Sequence, residues 1–319
     1  MVHTDTLHRR IQEARRRLEQ AGIDAAEAGI DADVLARHAL GGWERGQLLV
    51  RQHDACPAGF AAIFEALVRR REQREPTGYI IGHREFWSLD IEVGPGVLVP
   101  RPETEFLVEE TLSRLSQAPA ASGALAGAGA VPRARIADVG TGSGCISVAI
   151  ARWLPAADVV AIDASEEALA VARRNVQRHE VSRRVGLLRA DLLAGVAGPF
   201  DAVVSNPPYV PAPDLAGLQP EVRDHEPLAA LVAGDDGLGV IRRLVPEAAA
   251  VLRPGGWLLF EFGFGQADGV RAIIAAEPRL ELVELKPDLA GIPRVAVVRK
   301  RPAFSETHES RIPNPEPRV

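Results

Sequence analysis

The tetrapeptide Asn206-Pro207-Pro208-Tyr209 follows an apolar, strand-like segment and carries the most chemical information in the sequence. Neither proline offers a backbone N–H, so a central strand must end there, with the carbonyls of Asn206 and Pro207 pointing outward. The Asn206 side-chain oxygen and the Pro207 carbonyl can each accept one N–H bond of a planar NH₂ group, against which Tyr209 can lay its ring. The alternative is a proline turn with a packed tyrosine.

A glycine-rich loop, Gly140-Thr141-Gly142-Ser143-Gly144, follows Asp138 at the end of an earlier strand-like segment. Closely spaced glycines let the backbone turn tightly and approach a ligand at the carboxyl end of a strand. The dinucleotide fingerprint G-x-G-x-x-G requires glycine at position 145, which is Cys145 here, so an NAD site is disfavoured. A purely structural turn is the alternative.

Two further acidic residues end the next two strand-like segments. Asp163 comes about 20 residues after the glycines, where a carboxylate can accept hydrogen bonds from both hydroxyls of a ribose. Asp191 can accept from an exocyclic amino group, and Leu192 beside it can cover a flat base. Each acid alone is more often a helix cap or a solvated turn residue. Their common position at strand ends favours a nucleoside site.

A sulfonium methyl donor fits this set of residues. Its positively charged leaving group needs no acid assistance, and the glycines and acids already account for an adenosine. The pattern predicts in-line methyl transfer to a planar nitrogen, accelerated mainly by alignment of the reacting atoms.

The composition is that of an ordinary globular chain of 319 residues, 46% hydrophobic and 25% charged, long enough for two domains. No apolar run approaches the ~18–20 residues of a membrane helix, so we expect a cytoplasmic protein without a membrane partner. The two cysteines lie far apart and the eight histidines are scattered, which predicts neither disulfides nor a metal site. A net charge of -6 disfavours direct nucleic-acid binding.

Residues 1–75 are predicted to form a small helical, substrate-docking domain. Two amphipathic patterns support it, one with Leu7, Ile11, Ala14 and Leu18 and one with Phe60, Ile63, Phe64, Leu67 and Val68. Asp31 is the expected cap of a shorter helix between them. Positive and negative charges balance here, so no basic stripe indicates RNA or DNA.

Residues 76–100 alternate apolar and polar side chains around Gly94-Pro95-Gly96, which predicts a β-hairpin linking two domains. Over 101–301, strands alternate with helices, with a turn at Pro254-Gly255-Gly256 before a late strand. This series predicts an open, mostly parallel sheet with helices on both faces. The alanine- and glycine-rich stretch 117–133 is predicted to be a flexible insertion, and the proline-rich stretch 302–319 a disordered tail.

From about Pro76 to Arg299 the chain resembles the class I S-adenosylmethionine-dependent methyltransferases, and within them the release factor glutamine methyltransferases of the PrmC or HemK family. The most specific pieces of the resemblance are Glu85-Phe86-Trp87-Ser88-Leu89, the segment LVPRPETE at 98–105, the glycine loop, Asn206-Pro207-Pro208-Tyr209, and Glu226-Pro227 followed by Ala230-Leu231. The helical start is also similar to the small N-terminal domain of that family.

The resemblance implies an α/β fold: a Rossmann-like, mostly parallel sheet whose last strand is antiparallel, preceded by a small helical domain and a connecting β-hairpin. It implies S-adenosyl-L-methionine as methyl donor, S-adenosyl-L-homocysteine as product, and no metal. The implied acceptor is the side-chain amide of the glutamine in the GGQ motif of class 1 peptide chain release factors, a modification that modulates translation termination. We expect the protein to act as a monomer.

The resemblance also implies roles for individual residues. The glutamine amide would be held by Asn206 and Pro207, with Pro208, Tyr209 and Glu226 beside it. The donor would be held by Arg101, Asp138, Gly140, Thr141, Gly142, Ser143, Gly144, Asp163, Asp191, Leu192 and Asn206. An ion pair is an equal alternative for Arg101, and a loop role is an alternative for Glu226. Some family members have an aromatic residue at the position of Leu192, so its adenine contact is open.

Three other readings of the same residues remain. The Asn-Pro-Pro-Tyr stretch also suits an exocyclic amino group of a nucleic-acid base, although such an enzyme needs a basic surface. A glutamine of a ribosomal protein would undergo the same chemistry. A donor-binding module without catalysis predicts damage to Asn206 or to the glycine loop, and both are intact.

Overall fold

The computed structural model describes residues 5–116 and 133–302. The predicted insertion 117–133, apart from Arg133, and the predicted tail 302–319, apart from Pro302, lie outside these residues. Within the two described ranges, no helix is long and apolar enough to cross a membrane. The same residues contain no group of three or more His, Cys, Asp or Glu side chains that is placed to hold a metal ion.

Five helices come first in the described chain: α1 (Leu7–Gln20), α2 (Ala25–Ala39), α3 (Arg45–Arg51), α4 (Phe60–Glu72) and α5 (Thr77–Ile81). Their buried apolar side chains form a core of their own, separate from the two cores that flank the sheet. The buried residues of α1 are the four predicted from their spacing: Leu7, Ile11, Ala14 and Leu18.

Two details of this helical region differ from the sequence predictions. Asp24, not Asp31, caps α2, because the Asp24 side chain accepts a hydrogen bond from the Ala26 N–H at 2.9 Å. Asp31 lies inside the helix and is buried. On α4 the buried face repeats every four residues from Phe60, so the prediction that Ile63 lies on it was wrong, and Ile63 is 51% exposed.

The predicted β-hairpin is present, but its turn lies elsewhere. Strands β1 (His83–Phe86) and β2 (Leu89–Glu92) pair antiparallel. Trp87 and Ser88 connect them, with φ of 52° and 58°, the left-handed pair that a two-residue hairpin turn requires. Gly94-Pro95-Gly96 does form a turn, closed by a hydrogen bond from the Val97 N–H to the Gly94 carbonyl at 3.3 Å, but it follows β2 and leads the chain toward α6 (Thr104–Ser116). The prediction that this is the turn of the hairpin was therefore wrong.

The remaining strands form one seven-stranded sheet in the order β5-β4-β3-β6-β7-β9-β8. Its strands are β3 (Ala134–Val139), β4 (Ala157–Asp163), β5 (Val185–Arg189), β6 (Phe200–Ser205), β7 (Leu252–Glu261), β8 (Leu280–Pro287) and β9 (Pro293–Lys300). Strands β3 to β7 pair in parallel, and only β9 runs antiparallel to its neighbours β7 and β8. The predicted mostly parallel sheet with an antiparallel last strand is confirmed.

Helices cover both faces of this sheet. Side chains of α6, α7 (Cys145–Trp153) and α8 (Glu166–Arg178) join one core cluster, and those of α10 (Gly239–Val251) and α11 (Ala267–Ala275) join the other. The short helix α9 (Pro220–Arg223) lies in the connection between β6 and α10. The predicted turn at Pro254-Gly255-Gly256 is absorbed into β7, which has an irregular register against the start of β6.

The order in which the chain adds strands to the sheet reverses at β3, because β4 lies on one side of β3 and β6 lies on the other. In open α/β sheets, ligands bind outside the carboxyl ends of the strands at such a point. The glycine loop follows β3, Asp163 ends β4, and the Asn-Pro-Pro-Tyr stretch follows β6. The topology therefore brings these three sequence features to one crevice.

Candidate active site

Two cavities of about 330 and 360 Å³ meet in this crevice. The first, here called the donor cavity, is lined by the glycine loop, Asp163, Asp191 and Leu192. The second, the acceptor cavity, is lined by Arg101, Pro207, Tyr209 and residues of the connection that contains α9. Asn206 lines both, as do Leu98 and Ala230. Asn206 therefore stands where a group in one cavity would meet a group in the other.

The glycine loop depends on glycine at three positions, because Gly140, Gly142 and Gly144 have φ of 71°, 55° and 80°. At Gly144 the close approach of α8 adds a steric reason, since a Cβ there would lie 3.1 Å from the Cβ of Ala172. The loop therefore brings its backbone to the donor cavity and lets α7 begin directly behind it.

Asp138 lies beneath this loop and is not among the described residues that line the donor cavity. It is fully buried, and its Oδ2 accepts hydrogen bonds from the hydroxyls of Thr141 and Ser147, both at 2.6 Å. Burial raises the pKa of this carboxyl to about 6. In this structure Asp138 holds the loop in shape, whereas the sequence suggested a contact with the donor.

Asp163 is placed as predicted, at the end of β4 and in the wall of the donor cavity. Its Oδ2 accepts the Gly142 N–H and its Oδ1 accepts the Ser165 N–H, both at 2.9 Å. Each carboxylate oxygen accepts more than one hydrogen bond, so both can still receive a hydroxyl. The two backbone contacts hold the carboxylate in one orientation.

Asp191 and Leu192 also line the donor cavity. The Oδ2 of Asp191 pairs with Arg243 at 2.7 Å, and this carboxylate is largely exposed. Leu192 has a φ of 52°, an uncommon conformation for a residue with a Cβ. The strained backbone holds Leu192 at the cavity wall, and such outliers cluster at ligand sites.

A chain of three hydrogen bonds fixes the side chains of Asn206 and Tyr209. The Nδ2 of Asn206 donates to the Thr104 hydroxyl at 2.9 Å, and that hydroxyl donates to Oε2 of Glu261 at 2.7 Å. The Tyr209 hydroxyl donates to Oε1 of the same carboxylate at 3.0 Å. One N–H of Nδ2 is used by Thr104, and within the described residues no hydrogen bond reaches Oδ1 of Asn206, so this oxygen can accept from a ligand.

Tyr209 is held from several sides. Its backbone carbonyl accepts a hydrogen bond from the Gln266 side chain at 2.8 Å, and a Cβ on Gly263 would lie 3.1 Å from its ring. Burial, followed by the charge of Glu261, raises the pKa of the Tyr209 hydroxyl, so this group remains a donor. Pro208, which the sequence placed at the acceptor, lines the donor cavity instead.

Arg101 lies at the acceptor cavity and not in the lining of the donor cavity, to which the sequence had assigned it. Its Nη2 donates to Oε2 of the buried Glu226 at 2.7 Å, so the ion-pair alternative is the one that the structure contains. Glu226 lines neither cavity among the described residues, which places it behind Arg101. Burial raises the pKa of Glu226 to about 6 despite the neighbouring guanidinium.

Cys145 begins α7 and contributes to the donor cavity. Burial raises the pKa of its thiol to about 12. A thiol with so high a pKa is protonated at neutral pH and is a poor nucleophile, which supports a packing role.

No role was predicted from the sequence for Thr104, Glu261 or Gln266, which hold Asn206 and Tyr209 in place. A signal for Glu261 was present, because it ends β7 as Asp163 ends β4, at the same edge of the sheet. Thr104 lies in the segment 98–105 that carries part of the family resemblance, although no role was predicted for its side chain, whereas Gln266 carries no signal of either kind.

Comparison with known proteins agrees with this arrangement. Residues 10–82 match the family model described as the PrmC N-terminal domain, and residues 121–216 match the Methyltransferase small domain. Among solved structures, the hMettl16 catalytic domain in complex with a MAT2A 3'UTR hairpin has a TM-score of 0.53 and 15% identity, covering 73% of this chain and 83% of that one. The sheet order and this likeness define the class I methyltransferase fold.

Curated relatives identify the family within that class. The release factor glutamine methyltransferase of Nitratidesulfovibrio vulgaris is 38% identical over 92% of this chain and 95% of its own length. That of Caulobacter vibrioides is 39% identical over 95% of this chain and 99% of its own. The chain belongs to the release factor glutamine methyltransferase family.

Proposed function

We propose that this protein transfers a methyl group from S-adenosyl-L-methionine to the side-chain amide nitrogen of the glutamine in the GGQ motif of class 1 peptide chain release factors. The observation that carries the proposal is the position of Asn206, which lines both cavities and has its amide oxygen left for a ligand. The names of the relatives supply the class of acceptor.

The donor cavity suits an adenosine with a short charged tail. Asp163, held by two backbone N–H groups, would accept the ribose hydroxyls, and Leu192 would lie against the adenine. The glycine loop would bring backbone close to the rest of the donor. Asp138 would act indirectly, by holding the loop through Thr141 and Ser147.

The acceptor cavity suits a neutral, planar side chain. Its wall is largely apolar and includes Val210, Leu218, Val222 and Leu231. Asn206 Oδ1 and the Pro207 carbonyl would each accept one N–H of the glutamine amide, and the Tyr209 ring would cover its plane. A neutral amide enters such a wall at a lower desolvation cost than a charged side chain.

Alignment is the main catalytic contribution that these residues would make. The bound donor supplies a methyl carbon whose bond to sulfur breaks as the bond to the amide nitrogen forms, which releases S-adenosyl-L-homocysteine and a proton to water. Two acceptors on one NH₂ group fix the direction of its nitrogen, and positioning of this kind contributes up to ~7–11 kcal/mol in well-oriented systems. No side chain of high basicity is required.

The helical residues 1–75 are proposed to dock the release factor, and residues 101–301 to form the methyltransferase domain. A buried cluster links the two, because Arg71 on α4 contacts Glu221 on α9 at 2.9 Å and the neighbouring Val222 lines the acceptor cavity. The acceptor proposed here places the reaction in the cytoplasm and in translation termination.

Mass spectrometry of an unmodified class 1 release factor tests the proposal. After incubation with the protein and the donor, we expect one added CH₂ on the GGQ glutamine. Asn206→Ala should lower the rate by about 100-fold or more, because misalignment of the reacting atoms is costly. An unmodified GGQ glutamine, with label in a ribosomal protein or in nucleic acid, would overturn the acceptor assignment.

Asp163→Asn and Asn206→Ala should separate donor binding from transfer. Asp163→Asn should weaken donor binding by about tenfold or more, because it removes a charged hydrogen-bond acceptor. Asn206→Ala should leave donor binding nearly unchanged and lower the rate of transfer by about 100-fold or more. Calorimetry and single-turnover rates measure the two effects. Equal loss of both functions in Asn206→Ala would contradict the division of roles.

A further inference from the structure

The orientation of the Asn206 amide depends on residues outside the Asn-Pro-Pro-Tyr stretch. An asparagine side chain can be turned by half a rotation, which exchanges its oxygen for its NH₂ with little change in shape. Only one orientation presents an acceptor to the N–H bonds of a substrate amide. Neighbouring side chains must therefore select the orientation in which the Asn206 oxygen faces the substrate.

Two hydrogen bonds connect the Asn206 amide to the carboxylate of Glu261, with the Thr104 hydroxyl between them. Both oxygens of the Glu261 carboxyl accept hydrogen bonds, Oε2 from the Thr104 hydroxyl and Oε1 from the Tyr209 hydroxyl, and these two bonds favour the ionised form against burial, which raises the pKa of this carboxyl. The one proton of the Thr104 hydroxyl is therefore directed to Glu261. Its oxygen can then only accept from Asn206, and it does so from Nδ2 at 2.9 Å. The reversed amide would place two acceptor oxygens against each other.

The same carboxylate also holds Tyr209. Its second oxygen, Oε1, accepts from the Tyr209 hydroxyl at 3.0 Å. Glu261 is 2% exposed and lines neither cavity among the described residues, so it has no direct access to a ligand. Thr104 is equally buried at 2% and touches the donor cavity.

We propose that Glu261 and Thr104 are positioning residues that select the amide orientation of Asn206 and the place of Tyr209, and so set the alignment of the acceptor nitrogen. The inference rests on the proposed function, because it concerns the same acceptor. Each hydrogen bond sets the direction of the next one. The carboxylate fixes the direction in which the Thr104 hydroxyl donates, and the hydroxyl oxygen fixes which end of the Asn206 amide faces it.

Thr104→Val and Thr104→Ser test the hydroxyl. Valine keeps the shape but removes the group that holds Nδ2, so we expect kcat for methylation of the release factor to fall about tenfold or more. Serine keeps the hydroxyl and should retain most of the rate. Donor binding by calorimetry should stay close to that of the wild type in both variants.

Glu261→Gln tests whether the carboxylate fixes the direction of the Thr104 hydrogen bond, and it changes no residue that lines either cavity. A carboxamide has one acceptor oxygen and one NH₂ group, so it cannot accept from both Thr104 and Tyr209 on separate oxygens. We expect kcat to fall by about tenfold or more. Because both changes break one chain, the double variant Thr104→Val, Glu261→Gln should lose no more than the worse single variant.

Thr111→Val is the matched control. Thr111 is a fully buried threonine of the same helix, and its hydroxyl donates to the Leu107 carbonyl and not to the site. Its rate should equal that of the wild type. A wild-type rate in Thr104→Val, an equal loss in Thr104→Ser, or an equal loss in Thr111→Val would each overturn the inference. A wild type that leaves the GGQ glutamine unmodified would instead overturn the proposed function, and the inference with it.

Discussion

Glu226 is a buried carboxyl behind the acceptor cavity, and two opposing effects act on its proton. The ion pair with Arg101 favours the charged form, whereas burial favours the neutral form. Burial is the larger effect and raises the pKa from 4.5 to about 6. Burial acts in the same direction on Asp138 beneath the glycine loop, whose pKa is also raised to about 6.

A pH dependence of stability follows from this shift. The folded state binds the Glu226 proton more tightly than the unfolded state, so its stabilising effect is present below pH 4.5 and is lost as pH rises through about 6. Relative to Glu226→Gln, the wild type should lose about 2 kcal/mol of unfolding free energy between pH 4.5 and 7. Urea unfolding of both proteins at the two pH values measures this, and a difference that does not change with pH would contradict it.

At the scale of elements, the glycine loop joins β3 to α7 and must fit against α8. Gly144 is where these demands meet, because it precedes α7, has a φ of 80° and faces Ala172. A side chain there would have to adopt a left-handed backbone and displace α8. The loop and the helix packing are therefore one structural unit.

Gly144→Ala should destabilise the fold by about 2–4 kcal/mol, the sum of a left-handed backbone cost and overpacking. It should also weaken donor binding, because α8 and the loop would move apart. Thermal or urea unfolding with donor titration measures both effects. The control is Gly186→Ala on β5, where φ is not positive and a Cβ would meet no atom within 4 Å. Equal stability of the two variants would refute the steric explanation.

At the scale of the whole molecule, Arg71 joins the helical region to the sheet domain. Its side chain is 1% exposed and contacts Asp31 at 2.7 Å, Glu27 at 2.9 Å and Glu221 at 2.9 Å. Arg74 contacts the same Glu221. Since α9 borders the acceptor cavity, this cluster couples the position of the helices to the shape of that cavity.

Arg71→Met should destabilise the protein by about 3–5 kcal/mol, because it leaves the buried Asp31 without a cationic partner and Glu221 with Arg74 alone. It should also raise KM for the release factor more than it changes donor affinity. Arg69→Met on the same helix is the control, since Arg69 is 70% exposed and its ion pair with Glu65 contributes at most about 1 kcal/mol. A similar small effect in both variants would show that the buried cluster does not join the domains.

Local sequence patterns were enough to predict the elements of the sheet domain and the edge of the sheet at which the candidate site lies. Apolar periodicity placed β3, β4 and β6, and strand ends follow from glycines and prolines that cannot continue a strand. The glycine loop, Asp163 and Asn206 were predicted at the site for that reason. The cap of α2 was mispredicted because Asp24 and Asp31 have the same capping preference. The turn between β1 and β2 was mispredicted because Trp87 and Ser88 adopt a left-handed backbone that their residue types do not favour, whereas Gly94-Pro95-Gly96 is a strong local turn signal.

The hydrogen-bond partner of each polar side chain at the site could be found only in the folded chain. Thr104 bonds Asn206, 102 positions away, and Glu261, 157 positions away. Arg71 meets Glu221 across 150 positions, and Arg101 meets Glu226 across 125. Local patterns extend over a few residues along the chain, whereas these hydrogen bonds depend on packing between distant elements. The residues that could do chemistry were readable from the sequence, but their orientation required the folded chain.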